Sequence, residues 1–480
     1  MGNDDLGAGR VRPCSCPPSC HGDGRVSHDT GAGRAETWPP HRPAWSGVLL
    51  LFLALLAGSG CEVPPEREAQ DLLPYLQMPK PDSMTIQWRT STEQDGAVRY
   101  GPTPSLELEV SDPEPDQAHS FTLVGLRPDT EYSYQAYSDG REVGEIYTFR
   151  TAPGPGARPF RFALVGDTMY SGPEKLLLKE RILEDEPSFV IHLGDFAAEL
   201  GGYQESLWRE YFFDDYADLL ARVPLIPILG NHEYQGLIMV FFSIPGAAPL
   251  FHDYFTLPNN GRWYSFDWAN CHFLALDANI PQDLQGGEQI EWLEEDLRRS
   301  TDGEDDPDWI FACWHEPAFS SGMGQFDLMG EVLRGQVVPL MEAYGVDVVF
   351  YGHDHFYERS YKDGVYYILS GGGGAAPHPI LEGVNPHSQL VMATYQYMRV
   401  AADGRSLTVE AVDPLGTILD TFTLEAPPPS GEAGESAPGQ GGCGCSVLEN
   451  PGLSDAPVVT MFLLTCGFYL WYFGFRARRK

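Results

Sequence analysis

Pro224-Leu225-Ile226-Pro227-Ile228-Leu229-Gly230-Asn231-His232-Glu233 is the stretch that decides how this chain is read. Its apolar run, ended by Gly, predicts a buried strand. Gly230 permits a sharp turn where the strand stops. Asn231 and His232 then sit at the strand's carboxyl edge, where open α/β sheets place their ligand sites. An amide oxygen can coordinate a divalent cation, and an imidazole can bind metal or move a proton. Alone, the pair would be no more than a turn with a surface histidine.

The pair is not alone. Four other apolar runs end in the same residue types: 160–165 leads into Gly166-Asp167, 189–193 into Gly194-Asp195, 309–313 to His315, and 346–351 into Gly352-His353-Asp354-His355. Two Asp, one Asn and three His suit two metal ions that share a carboxylate.

This order of blocks resembles the calcineurin-like metallophosphoesterases. Tyr75-Leu76-Gln77, Leu126-x-Pro128-x-Thr130-x-Tyr132 and Trp263-Tyr264-Ser265-Phe266-Asp267 resemble the purple acid phosphatase branch, and the likeness covers residues 73–424. It implies an α/β fold, a four-layer α/β/β/α sandwich preceded by an all-β fibronectin type III-like domain. The implied activity is hydrolysis of phosphate monoesters through a metal-bound hydroxide. A phosphodiesterase or nucleotidase with the same metals, or a surface binding protein without turnover, stay open as alternatives. The cofactors would be two divalent ions, with iron, zinc and manganese not told apart by sequence. Two cations lower the pKa of bound water toward about 7 and neutralise charge on the phosphoryl oxygens.

By the same resemblance, Asp195 bridges both metals. Asp167 and His355 complete one site; Asn231, His315 and His353 complete the other. His232 is not a ligand; it stands near the leaving group to stabilise charge or donate a proton. Glu233 orients the His232 ring from behind. Asp354 points away from its neighbours in an extended segment and reads as structural. Two departures mark this chain: Ala198 stands where purple acid phosphatases carry a tyrosinate ligand to ferric iron, and Met169 stands where other metallophosphoesterases carry a histidine. Tyr170 and Glu199 are the candidates to supply the missing ligand, with water as the default. The loop after the fourth block, 318–329, also lacks the histidine that the family often carries there.

Composition bounds the rest. The chain has 480 residues, 42% of them hydrophobic, so two domains and a large core are expected. A formal charge of -37 excludes nucleic acid as an expected partner, since phosphate backbones call for Lys and Arg; small phosphorylated substrates remain. Residues 1–47, with Cys14, Cys16 and Cys20, read as disordered or as an over-long start. Residues 48–61 hold a short apolar core that fits a secretory signal, ending in Gly58-Ser59-Gly60-Cys61, where lipid attachment and plain cleavage are both open.

Residues 73–151 alternate as short strands at 83–89, 97–100, 119–124, 131–137 and 147–150. Residues 159–425 alternate buried strands with helices at 174–186, 205–220 and 288–299, which implies a sheet covered on both faces. Residues 426–445 are a Pro/Gly linker with Cys443 and Cys445. Within 456–480, the uncharged run 457–475 is long enough to cross a bilayer, and Arg476, Arg478, Arg479 and Lys480 would hold the tail in the cytoplasm. The catalytic body would then be exported, to the outer surface or periplasm, and held at the membrane by that helix or by lipid at Cys61. Cys271 and Cys313 are the cysteines of the catalytic body, as a disulfide or as buried thiols. His192, His119 and His272 read as strand residues; His252, His378 and His387 sit in loops that could reach the cleft, and otherwise read as surface residues.

Overall fold

The computed structural model describes residues 71–156, 158–197, 204–234, 248–302 and 307–426. Residues 1–70, with the signal-like segment and Cys61, lie outside the described residues. So do Ala198, Glu199, the Cys443/Cys445 motif and the 457–475 run.

The first strands are β1 (Leu72–Gln77), β2 (Ser83–Pro102), β3 (Leu108–Val124), β4 (Glu131–Ser138) and β5 (Arg141–Arg150), all paired antiparallel. The period of two along β2 turns Met84, Ile86, Trp88 and Val98 inward, onto Phe121, Leu123, Tyr134 and Phe149. The Tyr132 hydroxyl accepts the Arg127 N–H at 3.0 Å, the tyrosine-corner contact of such sandwiches. β2 runs through both short strands the sequence predicts at 83–89 and 97–100, and β3 begins well ahead of the one predicted at 119–124. The added residues are polar and mostly exposed, so the backbone ladder alone carries them and leaves no hydrophobic pattern to read.

The remaining strands follow: β6 (Phe160–Val165), β7 (Val190–His192), β8 (Leu225–Pro227), β9 (Tyr264–Trp268), β10 (Cys271–Ala275), β11 (Trp309–Cys313), β12 (Val348–Tyr351), β13 (Tyr357–Lys362), β14 (Val365–Ser370), β15 (Ser388–Met392), β16 (Tyr397–Asp403), β17 (Ser406–Val412) and β18 (Ile418–Glu425). One sheet runs β18-β17-β16-β6-β7-β8 and continues through β1 into the N-terminal strands. The other runs β15-β13-β14-β12-β11-β10-β9. Phe162 from the first sheet meets Phe273 and Phe311 from the second edge-on, at 5.2 and 5.4 Å between ring centroids. Burying each such side chain contributes about 2–3 kcal/mol.

Helices cover both outer faces. On the first sheet lie Leu178 and Ile182 of α1 (Pro173–Glu184), with Trp208, Phe212, Phe213 and Tyr216. On the second lie Leu293 and Leu297 of the helix Glu288–Thr301, with Leu333 and Met341. The result is a four-layer α/β/β/α sandwich behind an all-β domain. The helix expected over 205–220 forms as Glu205–Trp208 and Asp214–Leu220 around a π turn, Arg209–Phe213. That wider turn lets the consecutive Phe212 and Phe213 both face the core.

β1 joins the two parts. It pairs with β2 on one side and touches β8 in parallel at Gln77↔Leu225 on the other. Tyr75 Oη and Gln77 Nε2 both donate to the Tyr254 carbonyl, at 2.9 and 3.0 Å. Cys271 and Cys313 are buried free thiols. Cys271 pairs with Trp309, and Cys313 with Ala275, so they stand four ladder positions apart. That is roughly 13 Å at the strand rise, beyond disulfide reach. Among the described residues, no helix is long and apolar enough to cross a membrane.

Candidate metal centre

The loops leaving β6, β7, β8, β11 and β12 converge. Asp167, Asp195 and His353 each take the left-handed backbone region, with φ of 59°, 60° and 74°. Such positions cost of order 1–3 kcal/mol in a non-Gly residue and cluster at functional sites. Glycines leave room for the carboxylates. A Cβ on Gly230 would collide with Asp195 Oδ1, and one on Gly352 would stand 2.5 Å from Asp167 Oδ2.

The side chains meet. Ligand-type atoms of Asp167, Asp195 and His315, all buried, lie within 4.8 Å of one another. His315 Nε2 is 3.3 Å from Asp195 Oδ1 and 3.0 Å from Asn231 Oδ1. Its Nδ1 donates to the Leu193 carbonyl at 2.7 Å, which leaves the Nε2 lone pair for the centre. His353 Nδ1 is 3.0 Å from Asn231 Oδ1. His355 Nε2 is 3.6 Å from Asp167 Oδ1, with its Nδ1 on the Ala376 carbonyl at 3.1 Å. His355 thus stands against Asp167, while His315 and His353 both approach Asn231 Oδ1 and His315 also reaches Asp195. The His232 side chain is one quarter exposed; its backbone N–H donates to Asp195 Oδ1 at 3.0 Å, and its Nε2 lies 3.7 Å from Asp195 Oδ2.

The electrostatics fit cations. Among the described residues, the ion-pair partners of Asp167 and Asp195 are imidazoles alone. Burial pushes the Asp167 carboxyl well above the usual carboxylate range. Burial acts the same way on Asp195, but His315 and His232 outweigh it and hold Asp195 below that range. His315 is raised to about 9, against its burial, by Asp195 and Asp167. A cation among these groups would favour both carboxylates ionised and His315 neutral. Two carboxylates, an amide oxygen and three imidazoles suit divalent iron, zinc or manganese.

Neighbouring residues divide the supporting work. Glu233 serves the backbone rather than the His232 ring where the sequence put it: its buried carboxylate accepts N–H bonds from Gly230 at 2.7 Å, Asp195 at 2.9 Å and Phe196 at 3.0 Å. It therefore ties the loop after β8 to the loop after β7. Asp354 is buried and accepts from Ser320 Oγ at 2.5 Å and the Gly324 N–H at 3.0 Å, a structural role. Tyr170 packs with Met169, Ala375 and Tyr211 beside the Asp167 loop. His192 is a core residue, stacked on Phe196 and bonded to Thr168 Oγ1 at 2.8 Å.

His378, one of the loop histidines that could reach the cleft, does so, while Glu316 and Asp327 escape the sequence patterns. His378 stacks on His355 with centroids 3.8 Å apart. Glu316 Oε2 and Asp327 Oδ2 lie 3.4 and 3.3 Å from His353 Nε2. Glu316 had a signal, since it directly follows His315; the others come from loops without a motif.

Residues 160–357 match the calcineurin-like phosphoesterase family, and residues 73–151 match the purple acid phosphatase N-terminal domain. Purple acid phosphatase 15 of Arabidopsis thaliana is 28% identical over 299 residues, covering 53% of this chain and 53% of that protein. Acid phosphatase type 7 of Homo sapiens is 26% identical over 359 residues, covering 68% of this chain and 78% of that protein. The chain spans about half the length of the first of these relatives. The solved structure of a purple acid phosphatase from yellow lupin (Lupinus luteus) seeds shares the fold, with a TM-score of 0.65 at 22% identity over 74% of each chain.

Proposed function

This chain is a purple acid phosphatase-like protein of the calcineurin-like phosphoesterase superfamily, and on that premise we propose that it hydrolyses phosphate monoesters at a dinuclear metal centre. The observation that carries the proposal is the convergence of Asp167, Asp195 and His315 within 4.8 Å, buried and without a Lys or Arg partner among the described residues. One ion would be held by Asp167, Asp195 and His355, the other by Asp195, Asn231, His315 and His353. Tyr170 or water would complete the first set. Two divalent cations supply an acidified water and charge neutralisation at the phosphoryl group.

The chain's own groups orient and protonate. The His232 N–H and the Glu233-bonded backbone hold Asp195 at one orientation. The His232 imidazole, partly exposed beside Asp195, is placed to give a proton to a departing alkoxide. The test is turnover of p-nitrophenyl phosphate and its bis-ester by the chelator-stripped chain, before and after metal is restored. Metal-dependent hydrolysis of the monoester, exceeding that of the diester, is expected; a preference for the diester would make this a diesterase.

Export is part of the same reading, supported by the 48–57 apolar core and by the 457–475 run before Arg476. Deleting residues 457–480 should release active protein from the membrane fraction. Full retention in a variant that also lacks Cys61 would contradict that anchor.

A further inference from the structure

We propose that Asp327, backed by Glu316, makes the His353 side of the centre selective for charge: it admits phosphate esters of cationic and neutral alcohols and rejects those of anionic ones. This rests on the phosphatase reading above and names its substrate class.

The two carboxylates converge from different elements. Glu316 follows His315 in the loop after β11, and Asp327 immediately precedes the helix Leu328–Val332. Together with His353 Nε2, their oxygens lie within 4.8 Å of one another. His353 turns its other nitrogen toward Asn231, at 3.0 Å from Oδ1. The acids therefore stand one imidazole away from the centre, about 7 Å from an ion bound at normal metal–nitrogen distance.

Both carboxylates share one imidazole, His353, and the Arg334 guanidinium beside this loop donates to the Ala318 and Gln325 carbonyls. The Glu316 side chain is 9% exposed, and its Oε2 accepts no hydrogen bond. The Asp327 side chain is 41% exposed, so it forms the open lip of the cluster. Residues 318–329 contain no Lys, Arg or His. Phe326 and Leu328, on either side of Asp327 in the chain, are 42% and 57% exposed, which puts apolar surface next to it.

A third metal ion fits this cluster poorly. An imidazole that faces the centre through Nδ1 carries its proton on Nε2. Two carboxylates then remain, fewer than the four or more donors a bound metal takes. An ammonium group needs only acceptors and a nearby apolar surface, and both are present. A carboxylate or second phosphate on the leaving group would face Asp327 with like charge.

The test compares three two-carbon phosphate esters that differ in terminal charge: phosphoethanolamine, 2-hydroxyethyl phosphate and phosphoglycolate. kcat/KM is measured for the metal-loaded full chain, wild type, Asp327→Asn and Asp327→Lys. Taking about 7 Å as well between Asp327 and the ester's terminal charge, and an effective dielectric near 50, each unit of charge is worth about fivefold, so the ammonium ester should exceed the carboxylate ester by about 25-fold. Asp327→Asn should bring that ratio close to one, Asp327→Lys should invert it, and added salt should shrink it in the wild type. Equal loss on all three esters in both variants, with the ratio unchanged, would show that Asp327 only steadies His353 and would overturn the proposal. No turnover of any ester by the metal-loaded wild type would refute the phosphatase reading itself, and this one with it.

Discussion

Glu233 is the residue whose removal should cost the centre most without replacing a proposed ligand. Its side chain is fully buried and accepts three backbone N–H bonds, at 2.7, 2.9 and 3.0 Å. Glu233→Ala leaves three buried donors with no acceptor, at about 1–3 kcal/mol each, or of order 4–6 kcal/mol in all. That is a large share of the usual 5–15 kcal/mol of a folded domain.

Glu233→Gln is the graded version. Its amide oxygen can replace Oε2 and keep the Gly230 and Asp195 bonds, while its NH₂ faces the Phe196 N–H. The expected cost is about 2 kcal/mol. The assay is urea unfolding with chelator and with added metal, alongside metal titration of the folded variant. The Gln variant should lose stability in both conditions, with an unchanged slope, and bind metal about tenfold or more weakly because the Asp195 backbone is no longer pinned. Unchanged stability and metal affinity with slowed turnover would refute this reasoning and put Glu233 back on the His232 ring.

His232→Ala should keep both metals and slow turnover by about 10²–10⁴, read from kcat at fixed metal content; metal loss in that variant would make His232 a ligand. His272 sits between Asp267 at 2.7 Å and Asp296 at 2.9 Å; burial works against its charge, yet the two carboxylates raise it to about 9. A raised histidine stabilises fully below its unfolded value near 6.5, and that contribution is lost as pH rises through about 9; with Asp267 exposed, it is about 1–2 kcal/mol. Melting at pH 6 and pH 10 should show this loss in the wild type and a smaller one in His272→Gln. With Ala198 at the tyrosinate position, the metal-loaded chain should be colourless and work best above the acid range; a strong band in the green-to-red region that disappears in Tyr170→Phe would contradict this.

The sequence exposes this fold where hydrophobic burial builds it. The runs 160–165 and 309–313 form strands at those same bounds because they are buried between the layers. It is silent where backbone pairing acts alone, as in the polar middle of the β2–β3 ribbon, and where a helix changes pitch to bury adjacent aromatics, as at Phe212 and Phe213. The proposed ligands are legible because each follows a buried strand, usually after a Gly, so chemistry and turn are written in adjacent residues. Asp327 and His378 carry no such mark. Their contacts with His353 and His355 depend on loops folding back across the centre, which no local pattern encodes. Glu233 shows the converse: its position beside His232 suggested a side-chain partner, and only the left-handed turn at Asp195 reveals that backbone N–H groups claim it.

The central claim is that one carboxylate, Asp195, serves two metal ions. The direct test is metal content per chain for the purified 73–424 body, wild type against Asp195→Ala, with circular dichroism to confirm that the variant is folded. The wild type should bind two divalent ions and hydrolyse p-nitrophenyl phosphate, while the folded variant should lose both ions and all turnover. Two bound metals with full activity in Asp195→Ala would contradict the account.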